Sequence, residues 1–313
     1  MTTVKSANRR GLLAAGAAWL GAPWFPSGRA FATADIAGGK PITLVVSYPA
    51  GGGADVMARL IAPRMAEALG QTVIVDNKPG ASGTVAAGQV ARAPTDGSML
   101  LLDASSFAVN PSLFDKLPYD AATAFATLGV LALFPNVLVC TANFEAKTLA
   151  DVLRLAKAKP GTLAYASSGN GSAQHLAGAL FEGMAKVEMI HVPYRGGGPA
   201  LNDVMGGQVP LFFANVASSL GHIQSGRLRA LAVTSKLRSR VLADVPSMDE
   251  VGLKGYEVLE WNPVLAPAGV TASTRAKLAA AIRKAMADPR CWHGCARSAV
   301  NRMAVARSRP PRS

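Results

Sequence analysis

Cysteine is scarce in this 313-residue chain, with three in all, and two of them, Cys291 and Cys295, stand beyond Pro289. That leaves Cys140 alone in the body, inside the apolar stretch Val137 to Thr141, so no disulfide framework is implied and Cys140 reads as a small buried hydrophobe. Metal-ligand spacing is missing from the body as well. Cys291, His293 and Cys295 make too short a run beside a basic tail to outweigh chance, and neither a metal nor any other cofactor is expected. No Gly-Lys-Ser/Thr follows a glycine loop and no dinucleotide fingerprint is spaced correctly, which excludes the common nucleotide folds. Acidic residues are outnumbered, 19 against 32 Lys plus Arg, for a net charge of +13. Ten of the 32 basic residues lie before Thr33 or after Pro289, however, leaving 22 against all 19 acids in the body. The only dense basic cluster there is Lys236, Arg238 and Arg240, so no basic face for nucleic acid is expected.

What is present centres on Ile42 to Ala68. A β-rich apolar run, Ile42 to Val46, meets Pro49 and three successive glycines, Gly51 to Gly53, and passes into an amphipathic helix with Val56, Leu60 and Met65 in its apolar set. Bare glycines beside a helix start leave backbone N–H groups uncovered where the macrodipole favours an anion. The device recurs. Leu163 to Ser167 reads as a strand, Ser168 to Ser172 as a small-residue loop, and Ala173 to Met184 as a helix. Two such loops, facing one another, would hold something negative across a cleft.

Residues 1–32 read as an export signal. Asn8-Arg9-Arg10-Gly11-Leu12-Leu13 is similar to a twin-arginine start, an apolar run too short for a comfortable membrane span continues to Phe25, and Ala30-Phe31-Ala32 predicts cleavage before Thr33. The mature protein is expected in the periplasm.

From there strand and helix alternate. Thr72 to Asn77 is a second strand, Lys78 to Gly83 another glycine-rich connection, Thr84 to Ala91 a helix and Met99 to Leu102 a third strand, the order of a parallel sheet with helices on its faces. Ligands in such sheets sit beyond the carboxyl ends of the strands, where these loops lie. The pattern restarts at Phe134-Pro135-Asn136: strand Val137 to Thr141, capping box Thr148-x-x-Asp151, a helix to Lys159, then strands at Met189 to Val192, Val209 to Ala214 and Arg229 to Thr234. Tyr256 to Pro267 reads as a strand crossing back, and Thr271 to Ala287 as a strongly amphipathic helix. Two crossings, near 136 and near 262, predict an α/β protein of two lobes joined by a hinge, each lobe a mostly parallel sheet flanked by helices. Residues 40–136 with 262–288 form lobe 1, and residues 137–261 lobe 2. The character changes at Pro289: six arginines follow with no acid, and residues 289–313 are expected to be an aberrant, disordered tail.

Ser82, Ser167, Ser168 and Ser172 lie on loops, yet none stands in Gly-x-Ser-x-Gly, so a Ser/His hydrolase lacks its strained elbow. His191 ends a strand and reads as a structural histidine; His175, on a helix face after the second loop, suits binding or capping better than catalysis. Asp55 opens the first helix, where a carboxylate caps free amides.

Several motifs together carry a resemblance: Val46-Ser-Tyr-Pro-Ala-Gly-Gly-Gly-Ala-Asp55, Val75-Asp-Asn-Lys-Pro-Gly-Ala-Ser-Gly83, Tyr165-Ala-Ser-Ser-Gly-Asn-Gly-Ser172 with His175-Leu176-Ala177, His191-Val-Pro-Tyr-Arg-Gly196, Ala230-Leu-Ala-Val-Thr-Ser235 and Asp244-Val-Pro246. Over roughly residues 40–288 the chain resembles the tripartite tricarboxylate transporter receptors, the Bug-type extracytoplasmic solute-binding proteins. That resemblance implies a two-lobed periplasmic binding protein fold of type II-like form. It also implies a monomeric, non-enzymatic receptor that takes a small carboxylated solute and delivers it to membrane permease subunits, or, as an orphan, presents it to a membrane sensor kinase. Main-chain amides and ordered waters would grip the carboxylate. Carried over by position, the candidates are Tyr48, Ala50, Gly51, Gly52 and Asp55 on one lobe and Ser168, Gly169, Asn170, Ser172 and His175 on the other. Family members usually carry an aromatic at the position of Ser98, an acid near Ala124 and an Asp at Ala214, so this chain departs from them there.

Overall fold

The computed structural model describes residues 36–289; the expected export signal, the cleavage site and the segment from Arg290 on, with Cys291, His293 and Cys295, lie outside them. The elements run β1 (Ile42–Val46), α1 (Gly53–Leu69), β2 (Val73–Asn77), α2 (Thr84–Ala91), β3 (Met99–Leu102), α3 (Ser106–Leu113) and β4 (Phe125–Thr141). They continue α4 (Leu149–Ala158), β5 (Ala164–Ser167), α5 (Ala173–Ala185), β6 (Ile190–Pro193), α6 (Gly197–Met205), β7 (Leu211–Asn215), α7 (Val216–Gln224), β8 (Leu228–Val233), β9 (Leu259–Pro267) and α8 (Ala272–Ala287).

Two sheets share β4. In the first, β2, β1 and β3 are parallel, and β9 and the front of β4 (Phe125 to Pro135) add antiparallel. In the second, β5 lies parallel between β6 and β7, while the back of β4 (Asn136 to Thr141) runs antiparallel between β7 and β8. The strand expected over Val137 to Thr141 thus begins at Phe125, because its earlier half is paired to β9. The two strands that cross between sheets lie side by side, Phe134 opposite Glu260 and Pro135 opposite Leu259.

Period-two alternation places successive strand residues in opposite cores. Leu44, Val46, Leu100 and Leu102 join Met57, Ile61 and Met65 of α1 and Leu278 and Ile282 of α8 on one face of the first sheet. Val45 and Leu101 meet Ala86, Ala87 and Val90 of α2 on the other. The second sheet repeats the arrangement, with Leu138 and Cys140 toward α4 and α5 and Val137 and Val139 toward α6 and α7. On α1 the buried stripe is Met57, Ile61 and Met65, at i, i+4 and i+8; Val56 and Leu60, expected in that stripe, pack half-buried along its flank. Each fully buried side chain of this size contributes roughly 1.5–3 kcal/mol. Helix ends obey local chemistry: Gly70 closes α1 in the left-handed conformation, and Thr148 and Asp151 close a reciprocal capping box on α4. Among the described residues no helix is long and apolar enough to cross a membrane.

Candidate functional site

Every strand of the parallel triplet ends at the same rim, so the loops after β1, β2 and β3 gather there. After β1, Tyr48 is buried and its hydroxyl shares a 2.8 Å hydrogen bond with Ser106 Oγ. The glycine loop that follows is largely satisfied from within. Gly51, at φ +79°, donates its N–H to Asp55 Oδ2 at 3.0 Å, and Asp55 also receives Arg59 Nε and Asn77 Nδ2. Burial raises the Asp55 pKa, but the hydrogen bonds from Arg59, Gly51 and Asn77 outweigh it and hold the carboxyl below its ordinary value.

The same loop is covered from the side of the second sheet. A Cβ on Gly196 would sit 2.4 Å from the Pro49 ring, and one on Gly198 would sit 2.7 Å from the Ala50 carbonyl oxygen. A Cβ on Gly53 would strike the Asn215 side chain at 2.7 Å. These positions have to be glycine for the lobes to approach this closely. Gly196 to Gly198 went unrecognised in the sequence as a site element, although three successive glycines before a helix repeat the signal read at Gly51 to Gly53.

The open part of the cleft lies to one side, with a volume of about 640 Å³. One wall is Ser47, Tyr48 and the loop Gly80 to Gly83, with Leu113 and Phe114, from the side of the first sheet; the facing wall is Ser168 to Asn170 and Pro193 to Arg195, from the side of the second. Arg195 is the only charged residue among them. Four successive residues of the first wall have positive φ: Gly80 at 148°, Ala81 at 45°, Ser82 at 51° and Gly83 at 93°. For Ala81 and Ser82 that conformation costs on the order of 1–2 kcal/mol each. The fold holds it by packing Gly83 onto the Asp103 carboxylate, where a Cβ would lie 2.7 Å from Oδ1, and by the bond from Asn110 Nδ2 to the Ser82 carbonyl. Successive amides in such a turn form a concavity suited to an anion, although the Gly83 N–H is itself bonded to the Gly80 carbonyl at 3.0 Å. Ser82 Oγ then reaches across to the Asn170 carbonyl oxygen at 2.6 Å, joining the two walls.

Of the ten residues carried over by position, Tyr48, Ser168, Gly169 and Asn170 line this cleft. Gly52 lines a smaller void behind Tyr48 and Ser168, about 20 Å³, shared with Gly53, Ala54, Gln174, Asn215 and Glu260. Ala50, Gly51, Asp55, Ser172 and His175 line neither. Ser172 caps α5 through the His175 N–H and donates to the Gly169 carbonyl at 2.7 Å, and His175 Nδ1 accepts from the Gly171 N–H. The His175 ring stacks on His191 at 4.1 Å. Burial lowers the pKa of His175, and burial together with His175 pushes that of His191 down to about 4. His191 Nε2 and Ser167 Oγ are 2.6 Å apart, the nearest approach to a nucleophile and base, but Ser167 has no exposed surface. Among the described residues no group of three His, Cys, Asp or Glu is placed to hold a metal.

Two buried acids stand behind the cleft. Asp103 accepts from Ser47 Oγ at 2.5 Å and from the Ala104 N–H at 2.7 Å, both on Oδ1, while Oδ2 has no partner; burial pushes its pKa up to about 6. Glu260 accepts from Gln174 Nε2 at 2.5 Å with the Ser105 backbone beside it, and burial pushes its pKa up to about 7.

Comparison with known proteins agrees with this architecture. The structure of the periplasmic binding protein BugD superposes with a TM-score of 0.78 at 35% identity, covering 82% of this chain and 85% of that one. A protein of R. palustris solved with adipate gives 0.76 at 36% identity, covering 78% and 82% of the two chains. MatC from Rhodopseudomonas palustris with bound malate gives 0.75 at 32% identity, covering 80% and 86%. The family model described as tripartite tricarboxylate transporter family receptor matches residues 57–306, across both lobes and beyond the last described residue. This chain therefore belongs to the tripartite tricarboxylate transporter receptor family, a family of two-lobed periplasmic solute-binding receptors.

Proposed function

We propose that the chain captures a small di- or tricarboxylate in the 640 Å³ cleft and delivers it to the permease of a tripartite tricarboxylate-type transporter. The observation that carries the reading is the facing pair of backbone-rich walls, Gly80 to Gly83 and Ser168 to Asn170, bridged by the Ser82 to Asn170 hydrogen bond. The cleft volume lies in the range of roughly 300–1,000 Å³ typical of small-molecule sites. Amides of the positive-φ turn meet one carboxylate, and Arg195, at the cleft edge, offers a charge to a second. Similar receptors hold malate and adipate, both dicarboxylates.

In this reading Tyr48, Gly52, Ser168, Gly169 and Asn170 face the solute or the void beside it. Ala50, Gly51, Asp55, Ser172 and His175 shape the loops that do so. Residues 40–136 with 262–288 act as one lobe and 137–261 as the other, and the mature receptor begins at Thr33 and works as a monomer. Binding rather than turnover is proposed, since the Ser167–His191 pair, the close Ser–His side-chain pair among the described residues, is buried at its serine.

A thermal-shift screen of malate, adipate, citrate and aromatic acids tests the reading. A true solute at ~100 times its Kd adds about 2.7 kcal/mol of apparent stability. Stabilisation by neutral sugars or amines, with none by any carboxylate, overturns it.

A further inference from the structure

We propose that Glu260 is a positioning residue that couples closure over the solute to the uptake of one proton. The inference rests on the reading of the cleft as a solute site that closes. Glu260 lies on β9, one of the two crossing strands, and is 5% exposed. Groups from both lobes converge on its carboxylate. From lobe 1, the backbone of Ser105, at the start of α3, sits beside it. From lobe 2, Gln174 Nε2 donates at 2.5 Å and at the same time holds Asn136 Oδ1, on the other crossing strand, at 3.0 Å. Gln174 is the second residue of α5, whose cap Ser172 is bonded to the carbonyl of Gly169 in the cleft wall. A continuous chain of contacts thus runs from the solute wall to the hinge carboxylate.

The surroundings leave the ionised form of this carboxylate poorly solvated. Its hydrogen-bond donor, Gln174, is a neutral amide, and the titratable groups beside it, Asp103 and Tyr48, bring no positive charge. The void it borders, about 20 Å³, has room for one water. Separating the lobes parts Ser105 from Gln174 and admits solvent, which returns the carboxyl toward its ordinary range. The closed form therefore binds more protons than the open form between that range and about pH 7, where Glu260 titrates when buried. Closure is favoured as pH falls through this window and weakened as pH rises out of it.

Calorimetric titration of the full mature chain with malate and adipate, in two buffers of different ionisation enthalpy from pH 5.5 to 8, reads the proton directly. The wild type is expected to take up protons on binding, with affinity several-fold tighter at pH 6 than at pH 8 and never changing by more than tenfold per pH unit. Glu260→Gln keeps an acceptor for Gln174 and is expected to bind with that uptake abolished and the pH profile flattened. Equal uptake in both proteins, or none in the wild type, overturns the proposal while leaving solute binding intact. Should neither solute bind, the functional reading fails instead, and Glu260 is read in the solute-free chain closed by a Ser82→Cys/Asn170→Cys disulfide with Cys291 and Cys295 replaced by serine. A ¹³C-carboxyl glutamate resonance, assigned by its loss in Glu260→Gln, is expected to titrate above pH 6 when oxidised and lower when reduced; identical titration in both forms overturns the coupling.

Discussion

The two glycine loops of the first lobe look alike in sequence and end differently. Gly51 to Gly53 opens α1, and Gly80 to Gly83 opens α2 with only Ala81 and Ser82 between its glycines. The first places Asp55 in the opening turn of its helix, and that carboxylate takes the Gly51 N–H; the opening turn of α2 carries no acid. Gly196 to Gly198 and Asn215 then cover the first loop, while the second lines the open cleft. A bare loop at a helix start can meet a solute only where the rest of the chain leaves it uncovered, and the second loop stays open to the cleft although the Asp103 carboxylate packs against Gly83 from behind.

The largest effect is expected where a side chain breaks the second loop. Gly83→Ala combines φ +93° with a Cβ 2.7 Å from the Asp103 carboxylate, and it should cost about 2–4 kcal/mol of unfolding free energy and abolish measurable solute binding. Denaturant unfolding and calorimetry measure both, and a variant of wild-type stability and affinity would remove this loop from the site.

Next is the pH dependence of the carboxylate under that loop. Asp103 has its pKa raised to about 6 in the folded chain, so the folded state binds more protons than the unfolded one between about pH 4 and 6. Stability from this group is full below the unfolded value and is lost as pH rises through 6, on the order of 3 kcal/mol. Thermal unfolding from pH 4.5 to 8 should show the decline, and Asp103→Asn should make it shallower, leaving the share of Glu260; a wild-type profile that rises instead contradicts the assignment.

Asp55→Ala sharpens the contrast from the other side. Losing its bonds to Gly51, Arg59 and Asn77 should cost about 1.5–3 kcal/mol of stability, with solute affinity changed by less than about threefold. Abolished binding at unchanged stability would return the first loop to the site.

The smallest change is expected from Ser82→Ala. Its hydroxyl makes the one bridge to Asn170, worth about 1 kcal/mol, so affinity should fall roughly fivefold with unfolding unaffected. A change confined to stability would show that the bridge does not respond to the solute.

Most of the fold was legible because local rules suffice for it. The β-rich apolar run Ile42 to Val46, the capping box at Thr148 and Asp151, and Gly70 after α1 each specify an element within a few residues. The front of β4 was not legible, since Phe125 to Pro135 becomes a strand through its pairing with β9, more than a hundred residues away. The helices α3 and α7 also escaped; Pro111 lies inside the former, and Asn215 caps the latter from the end of a strand that buries it.

Sequence alone determined the two α/β units, the two crossings and the presence of glycine loops, because strand alternation, caps and turn residues act over a few positions. Tertiary structure alone decided which loop remains open. Whether an amide is free depends on the carboxylate folded back onto it and on the glycines that arrive from the other lobe. The same holds for Asp103 and Glu260: their residue types are ordinary, and only burial beneath Gly83 and between Ser105 and Gln174 moves their titration toward neutrality.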